Sequence, residues 1–288
     1  MAKPAKDAPL KISYQAKEST SCPVCETAFH REELLSGSGR LIAGELTDEL
    51  HRLYEPSAKY GSLYPLAYLA TVCPICWFAS MDADFLKLPS DKIDAAGNDT
   101  AARKKEVEML HPNVDFESPR DLVSGMVSQY LVMRCYDYYT PQFSPTIKQA
   151  LAALRAGWLL DHLDKAESGQ HYDWLAVLLK KKARFFYSEA LKKEQTGKES
   201  LSALGNLGPD TDKNYGYEGV LYLNGYLEYK FGDTNDPDIR KDALANAKRT
   251  LAKMFGMGKS SKSRPGPLME KSRALYDMFA KELGEFDE

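Results

Sequence analysis

Cys22-Pro23-Val24-Cys25 and Cys73-Pro74-Ile75-Cys76 are two copies of one tetrapeptide pattern, with 47 residues between Cys25 and Cys73. Two residues between thiols let a tight turn aim both sulfurs at one point. Two such turns, brought together by folding, supply the tetrahedral thiolate set that zinc prefers. Proline after the first cysteine of each pair fixes a backbone dihedral and lowers the entropy of forming the turn. The pattern therefore predicts a structural zinc ion held by Cys22, Cys25, Cys73 and Cys76. Other readings compete. Disulfides are disfavoured in a reducing cytosol. A redox pair needs a thioredoxin-like strand–helix context and leaves the duplicate unexplained. Catalytic zinc keeps an open position and favours histidine or carboxylate ligands. Iron and unmetallated thiols remain as alternatives. The fifth cysteine, Cys135, lies in the apolar run Leu131-Val132-Met133-Arg134-Cys135-Tyr136 and reads as a small core residue.

Outward from the knuckles the pattern is extended. Residues 27–35, 40–46 and 66–72 read as strands, with a turn at Ser36-Gly37-Ser38-Gly39. Together they predict a small zinc-ribbon-like unit over residues 20–90, after a flexible tail at 1–19. His30 and His51 fall inside this unit, but with four cysteines available they read as surface or partly buried residues. Residues 60–81 carry no formal charge, yet Pro65, Pro74 and the second knuckle interrupt a membrane helix there. The first twenty residues are polar and contain Lys3, Lys6, Lys11 and Lys17, so no secretory signal is expected and the reading is cytoplasmic.

Charge narrows the function classes. The 288-residue chain has 38 Lys+Arg against 41 Asp+Glu, a formal charge of −3, which excludes a strongly basic nucleic-acid binder. Zinc ribbons often bind nucleic acid, but residues 1–90 hold 9 basic and 11 acidic side chains and offer phosphate no net attraction. Gly256-Met257-Gly258-Lys259-Ser260 imitates the end of a phosphate-binding loop but has Lys253 where a glycine is needed. HExxH, nucleophile-elbow and dinucleotide signatures are absent. Asp161, His162 and Asp164 spread around a helix and read as solvated surface. No catalytic residues are assigned.

From residue 100 onward apolar positions recur with a helical period. Ser118-Pro119-Arg120-Asp121 looks like a helix start, opening a helix to about residue 139. Further helices are predicted at 147–164, 171–194, 217–231, 239–255 and 268–283. The organisation expected is a linker with a helical segment at 91–117, a helical domain at 118–256, a basic linker at 257–267 and a C-terminal helix at 268–288. Helix pairs of this kind resemble tetratricopeptide repeats, with Ala183, Tyr187 and Ala190 on one second helix, Gly225 on a first helix, and Ala243 and Ala247 on its partner. The fold class is thus mainly α, with repeat-like helix hairpins and a small β-containing metal unit. Stacked hairpins leave a groove that takes a protein or peptide partner. Lys180-Lys181-Lys182 with Arg184 could meet acidic partner residues, and Tyr222, Tyr226 and Tyr229 share a helical face that suits core or groove.

These residues also resemble a known family. Cys22-Pro23-Val24-Cys25, Arg40, Thr47-Asp48, Tyr54, Val72-Cys73-Pro74-Ile75-Cys76 and Ala79 are similar to the bacterial family called domain of unknown function 2225. Ala156-Gly157-Trp158-Leu159-Leu160-Asp161, Phe186-Tyr187-Ser188-Glu189-Ala190 and Tyr222-Leu223-Asn224-Gly225 extend the likeness across about residues 20–255. The resemblance implies two knuckles joined to repeat-like helices in a cytoplasmic bacterial protein without assigned activity. Family knuckles usually carry glycine after the second cysteine; this chain has Glu26 and Trp77 there. On these readings the function expected is a non-enzymatic zinc-binding adaptor. The alternatives are a zinc-dependent or thiol-redox enzyme and a nucleic-acid-binding ribbon.

Overall fold

Residues 13–81 form three separate antiparallel ribbons. The computed structural model describes residues 10–202, 204–256 and 266–285. Strand β1 (Ser13–Ser21) pairs with β2 (Ala28–Leu34), β3 (Ile42–Leu46) with β4 (Arg52–Glu55), and β5 (Ala70–Val72) with β6 (Ala79–Met81). The register closes with Ser21 opposite Ala28 in the first ribbon and Val72 opposite Ala79 in the third. Each cysteine tetrapeptide is therefore the loop of a hairpin, and the two loops are built alike. Strand β1 starts inside the segment expected as a tail, because Ser13 and Tyr14 donate hydrogen bonds to Glu32 and Glu33 across the ribbon. The strand expected at 66–72 is shorter than its apolar run. Pro65 opens a 3-10 turn at Pro65–Tyr68, and only Ala70–Val72 is extended.

The helices are α1 (Ile93–Asn98), α2 (Thr100–Leu110), α3 (Leu122–Cys135), α4 (Pro145–Ala166), α5 (Tyr172–Gln195), α6 (Gly216–Phe231), α7 (Pro237–Gly256) and α8 (Gly266–Glu282). From α3 to α8 each packs on the next, and α6 also meets α8. The short loop at 167–171 makes α4 and α5 antiparallel neighbours. Helix α4 is buried on every side from Pro145 to Leu160: its Ala/Leu-rich faces lie in the core, and its polar Lys148, Gln149 and Arg155 each bond to another segment. Helix α3 begins three residues later than Ser118 suggests. Asp121 accepts from the Ser124 amide (2.7 Å) and Ser124 Oγ accepts from the Asp121 amide (2.9 Å), a reciprocal cap. Ser118 is instead tied to Asp115, and Arg120 donates to the carbonyls of Ala67 and Ala70, which keeps that segment out of the helix.

The third ribbon lies on α3, so the cysteine hairpins and the helices share one core. Gly125 lets the Pro65–Tyr68 turn ahead of that ribbon approach the same helix: a β-carbon there would stand 2.4 Å from that of Ala67. Ala183, Tyr187 and Ala190 are fully buried, Gly225 meets Leu275 and Phe279, and Ala247 is buried while Ala243 is half-covered. Tyr222 and Tyr226 belong to the core and Tyr229 packs against it, edge-on to Phe279. Of the basic run, only Lys181 and Lys182 face outward. Lys180 is buried and pairs with Asp161 (2.6 Å) and Glu49 (3.3 Å), and Arg184 pairs with Glu228 (2.9 Å). Among the described residues no helix is long and apolar enough to cross a membrane. Residues 257–260 of the phosphate-loop look-alike, and most of the basic linker, lie outside the described residues.

Candidate metal centre

The two hairpin loops use the same backbone bonds. In the first, the Cys22 amide donates to Thr27 O and the Glu26 amide to Cys22 O, both at 2.9 Å. In the second, the Cys73 amide donates to Phe78 O (2.9 Å) and the Trp77 amide to Cys73 O (3.0 Å). Closing a turn this tightly forces the residue after the second cysteine into the left-handed region: φ is 61° at Glu26 and 57° at Trp77. Glycine takes this conformation without penalty, so both knuckles accept the strain of a β-carbon there.

The loops meet. Cys22 Sγ is 3.5 Å from Cys76 Sγ, Cys25 Sγ is 3.5 Å from Cys73 Sγ, and all four sulfurs lie within 4.8 Å of one another. All are free thiols, and three of the four residues are buried. Zinc–sulfur bonds of about 2.3 Å in a tetrahedron separate the sulfurs by about 3.8 Å, so the cluster has the dimensions of a closed four-thiolate site. Electrostatics make the thiols interdependent. Donation from Cys22 and Cys76 pulls Cys73 down to about 2, while the contact with Cys73 pushes Cys22 up to about 12 and Cys76 is raised by Cys22 and Cys73. A thiolate at Cys73 thus opposes ionisation of Cys22 and Cys76, and a cation between the sulfurs would relieve that opposition.

A second observation bears on that charge. Arg103 on α2 is wholly buried, with its guanidinium bonded to the carbonyls of Ala96 (2.6 Å) and Cys76 (2.9 Å), to Thr100 (3.1 Å) and to the Tyr138 hydroxyl (3.3 Å). Its Nε has no partner, and no ion pair joins it to a carboxylate among the described residues. A buried cation without a counter-ion is costly. Four thiolates around a divalent ion leave net negative charge, which supplies a counter-ion one peptide away from Arg103. The residues present thus fit a metal–thiolate centre. Cys135, by contrast, is fully buried away from the cluster, and burial pushes its thiol up to about 11, as suits a core residue.

The structure corrects the reading of His51 and His162. His51 is buried, and His162 is half-buried rather than part of a solvated face with Asp161 and Asp164. The Nε2 atoms of the two rings lie 3.2 Å apart, and His51 Nδ1 is 2.5 Å from Asp210 Oδ2. Burial opposes ionisation of Asp210, but His51 and the amides of Thr211 and Arg52 outweigh it and hold the carboxyl below its ordinary range. Burial, aided by His51 and Lys165, pushes His162 down to about 4. Sequence reasoning missed this cluster because its members are 111 and 159 positions apart. One signal was present: Trp158 and His162, four positions apart, share a face of α4. His30 is exposed, as expected.

The fold and centre define a mostly helical protein with an N-terminal pair of cysteine hairpins that could hold a metal ion. The chain belongs to a bacterial family described as "Uncharacterized protein conserved in bacteria (DUF2225)", whose model matches residues 15–279. It is also 41% identical over 273 residues to an "Uncharacterized protein" of Borreliella burgdorferi strain B31, covering 95% of this chain and 98% of that protein. No solved structure matches.

Proposed function

We propose that the protein is a non-enzymatic adaptor of the bacterial cytoplasm. In this reading a structural zinc ion on Cys22, Cys25, Cys73 and Cys76 locks the N-terminal hairpins onto an array of repeat-like helices, and the array binds a protein partner. The observation that carries the binding role is the outer face of α5. Trp174 is 60% exposed and Phe185 55%, with Val177 and Leu178 between them at 39% and 37%. Spaced by three, four and seven positions, these side chains share one face of the helix, with the outward Lys181 among them and Lys182 at its edge. An amphipathic helix with acidic flanks has the matching chemistry. The cysteine contacts argue for the structural over the redox reading. The short sulfur–sulfur contacts run between knuckles, Cys22 to Cys76 and Cys25 to Cys73, whereas a redox pair forms within one motif.

The test is photo-crosslinking in the native cell from a probe at Lys181 of the full chain. The expected result is one discrete crosslinked protein, abolished by Trp174→Asp with Phe185→Asp in a chain that still folds. Absence of any crosslink, or an unchanged crosslink in the double variant, refutes the assignment.

A further inference from the structure

His51, His162 and Asp210 come from three segments that meet beside the helices: the β3–β4 turn, the last turns of α4 and the α5–α6 connection. Each part of this cluster is held from behind. The His51 amide donates to Thr47 Oγ1 (3.1 Å), and its ring stacks on Trp158 with centroids 4.4 Å apart and planes 9° from parallel. Trp158 Nε1 in turn donates to Glu49. Asp210 is fixed by the amides of Arg52 (2.8 Å) and Thr211 (2.6 Å), and its side chain has no solvent exposure. Tyr64 packs on the His162 ring at 4.9 Å.

A carboxylate can only accept, so His51 places its proton on Nδ1 and turns the Nε2 lone pair toward His162. This is the arrangement that orients a metal-ligating imidazole: one nitrogen held by a carboxylate, the other free to coordinate. The spacing agrees. Two nitrogen–metal bonds of about 2.0–2.1 Å meeting near the tetrahedral angle span about 3.3 Å, against the 3.2 Å observed. Among the described residues Nδ1 of His162 has no hydrogen-bond partner, so the proton on its Nε2 can move there when the cation takes its place; no net proton is released. The two rings border a cleft of about 350 Å³ that also exposes Glu45, which leaves room for water or a further oxygen ligand. The neighbouring acids are committed elsewhere: Asp161 and Glu49 to Lys180, Asp48 to Lys271.

We infer that His51 and His162 form a second metal site, open to the cleft, for a divalent cation that favours imidazole, such as Zn²⁺ or Ni²⁺. Asp210 is its positioning residue. The site is independent of the four-thiolate centre and differs from it in kind, because two protein ligands leave positions for an exogenous group.

Untagged full-length protein, reduced, zinc-loaded and desalted, is titrated with Zn²⁺ by calorimetry while the imidazole nitrogens are followed by NMR. One additional equivalent is expected, with the Nε2 signals of both histidines shifting together. His162→Gln, whose amide can still bond to His51, should abolish that equivalent, and His30→Gln should leave it intact. Asp210→Asn should weaken it about 10–100-fold. No additional equivalent, an equivalent that survives in His162→Gln, or unmoved imidazole signals overturns the assignment. Uptake by a four-thiolate site left partly empty is told apart because it leaves the imidazole nitrogens unmoved, so full loading of that site is verified before the titration.

Discussion

Replacing Glu26 by glycine should strengthen the first knuckle, a counterintuitive outcome for a substitution beside a metal ligand. The residue sits at φ 61°, where a β-carbon crowds the following carbonyl and costs roughly 1–2 kcal/mol. Its side chain is exposed and makes no hydrogen bond or ion pair among the described residues, so nothing is lost with it. Glycine removes the crowding, and its larger unfolded-state entropy returns about 0.5–1 kcal/mol of the gain. The net expectation is a stabilisation of about 0.5–1 kcal/mol. Because the metal requires the closed turn, the same increment should appear in zinc affinity as a roughly two- to five-fold tighter Kd in competition with a chromophoric chelator. Glu26→Ala keeps the β-carbon and should change nothing. Trp77 at φ 57° carries the same strain, but its ring packs edge-on to Phe116 (5.6 Å), donates to Pro74 O (3.2 Å) and lies under Lys104 (5.3 Å). Trp77→Gly should therefore weaken the site by about 1–3 kcal/mol, since lost packing outweighs relieved strain. Weaker zinc binding in Glu26→Gly, or the same sign in both glycine variants, would refute the reasoning.

Two further outcomes follow from the same geometry. Arg103→Met should destabilise the zinc-loaded protein by about 3–5 kcal/mol, as expected for breaking a buried charge pair, and cost the metal-free protein markedly less; equal losses in urea titrations of both forms would mean Arg103 is no counter-ion. His162 has a depressed pKa in the fold, so between its ordinary value near 6.5 and about 4 the unfolded chain binds the extra proton, and stability falls as pH is lowered through that window. Without added metal, His162→Gln should lessen this fall by roughly 1 kcal/mol per pH unit at most, seen as a convergence of the two denaturation profiles toward pH 4; parallel profiles would contradict it.

What the sequence made legible was local. A cysteine pair three positions apart commits its own turn, so both knuckles could be read directly, whereas the strands before the first and after the second were not. The helices were equally legible, because their period repeats many times over. Errors arose where a distant partner decided the outcome. Lys180 and Arg184 sit in a basic run read as able to meet acidic residues of a partner, but each reaches inward to acids on other elements of this chain, Glu49 and Glu228 among them. Ser118 resembled a cap until Arg120, drawn to Ala67 and Ala70, held the chain extended past it. The His51–His162–Asp210 cluster carries no periodic or spacing signal, because it exists only once three segments have met.

Zinc K-edge X-ray absorption on the reduced full-length protein, dialysed against a mild chelator, tests the metal centre most directly. One retained zinc per chain with four sulfur neighbours at about 2.3 Å is the expected result. A chain that retains no metal, or zinc ligated mainly by nitrogen and oxygen, would contradict it.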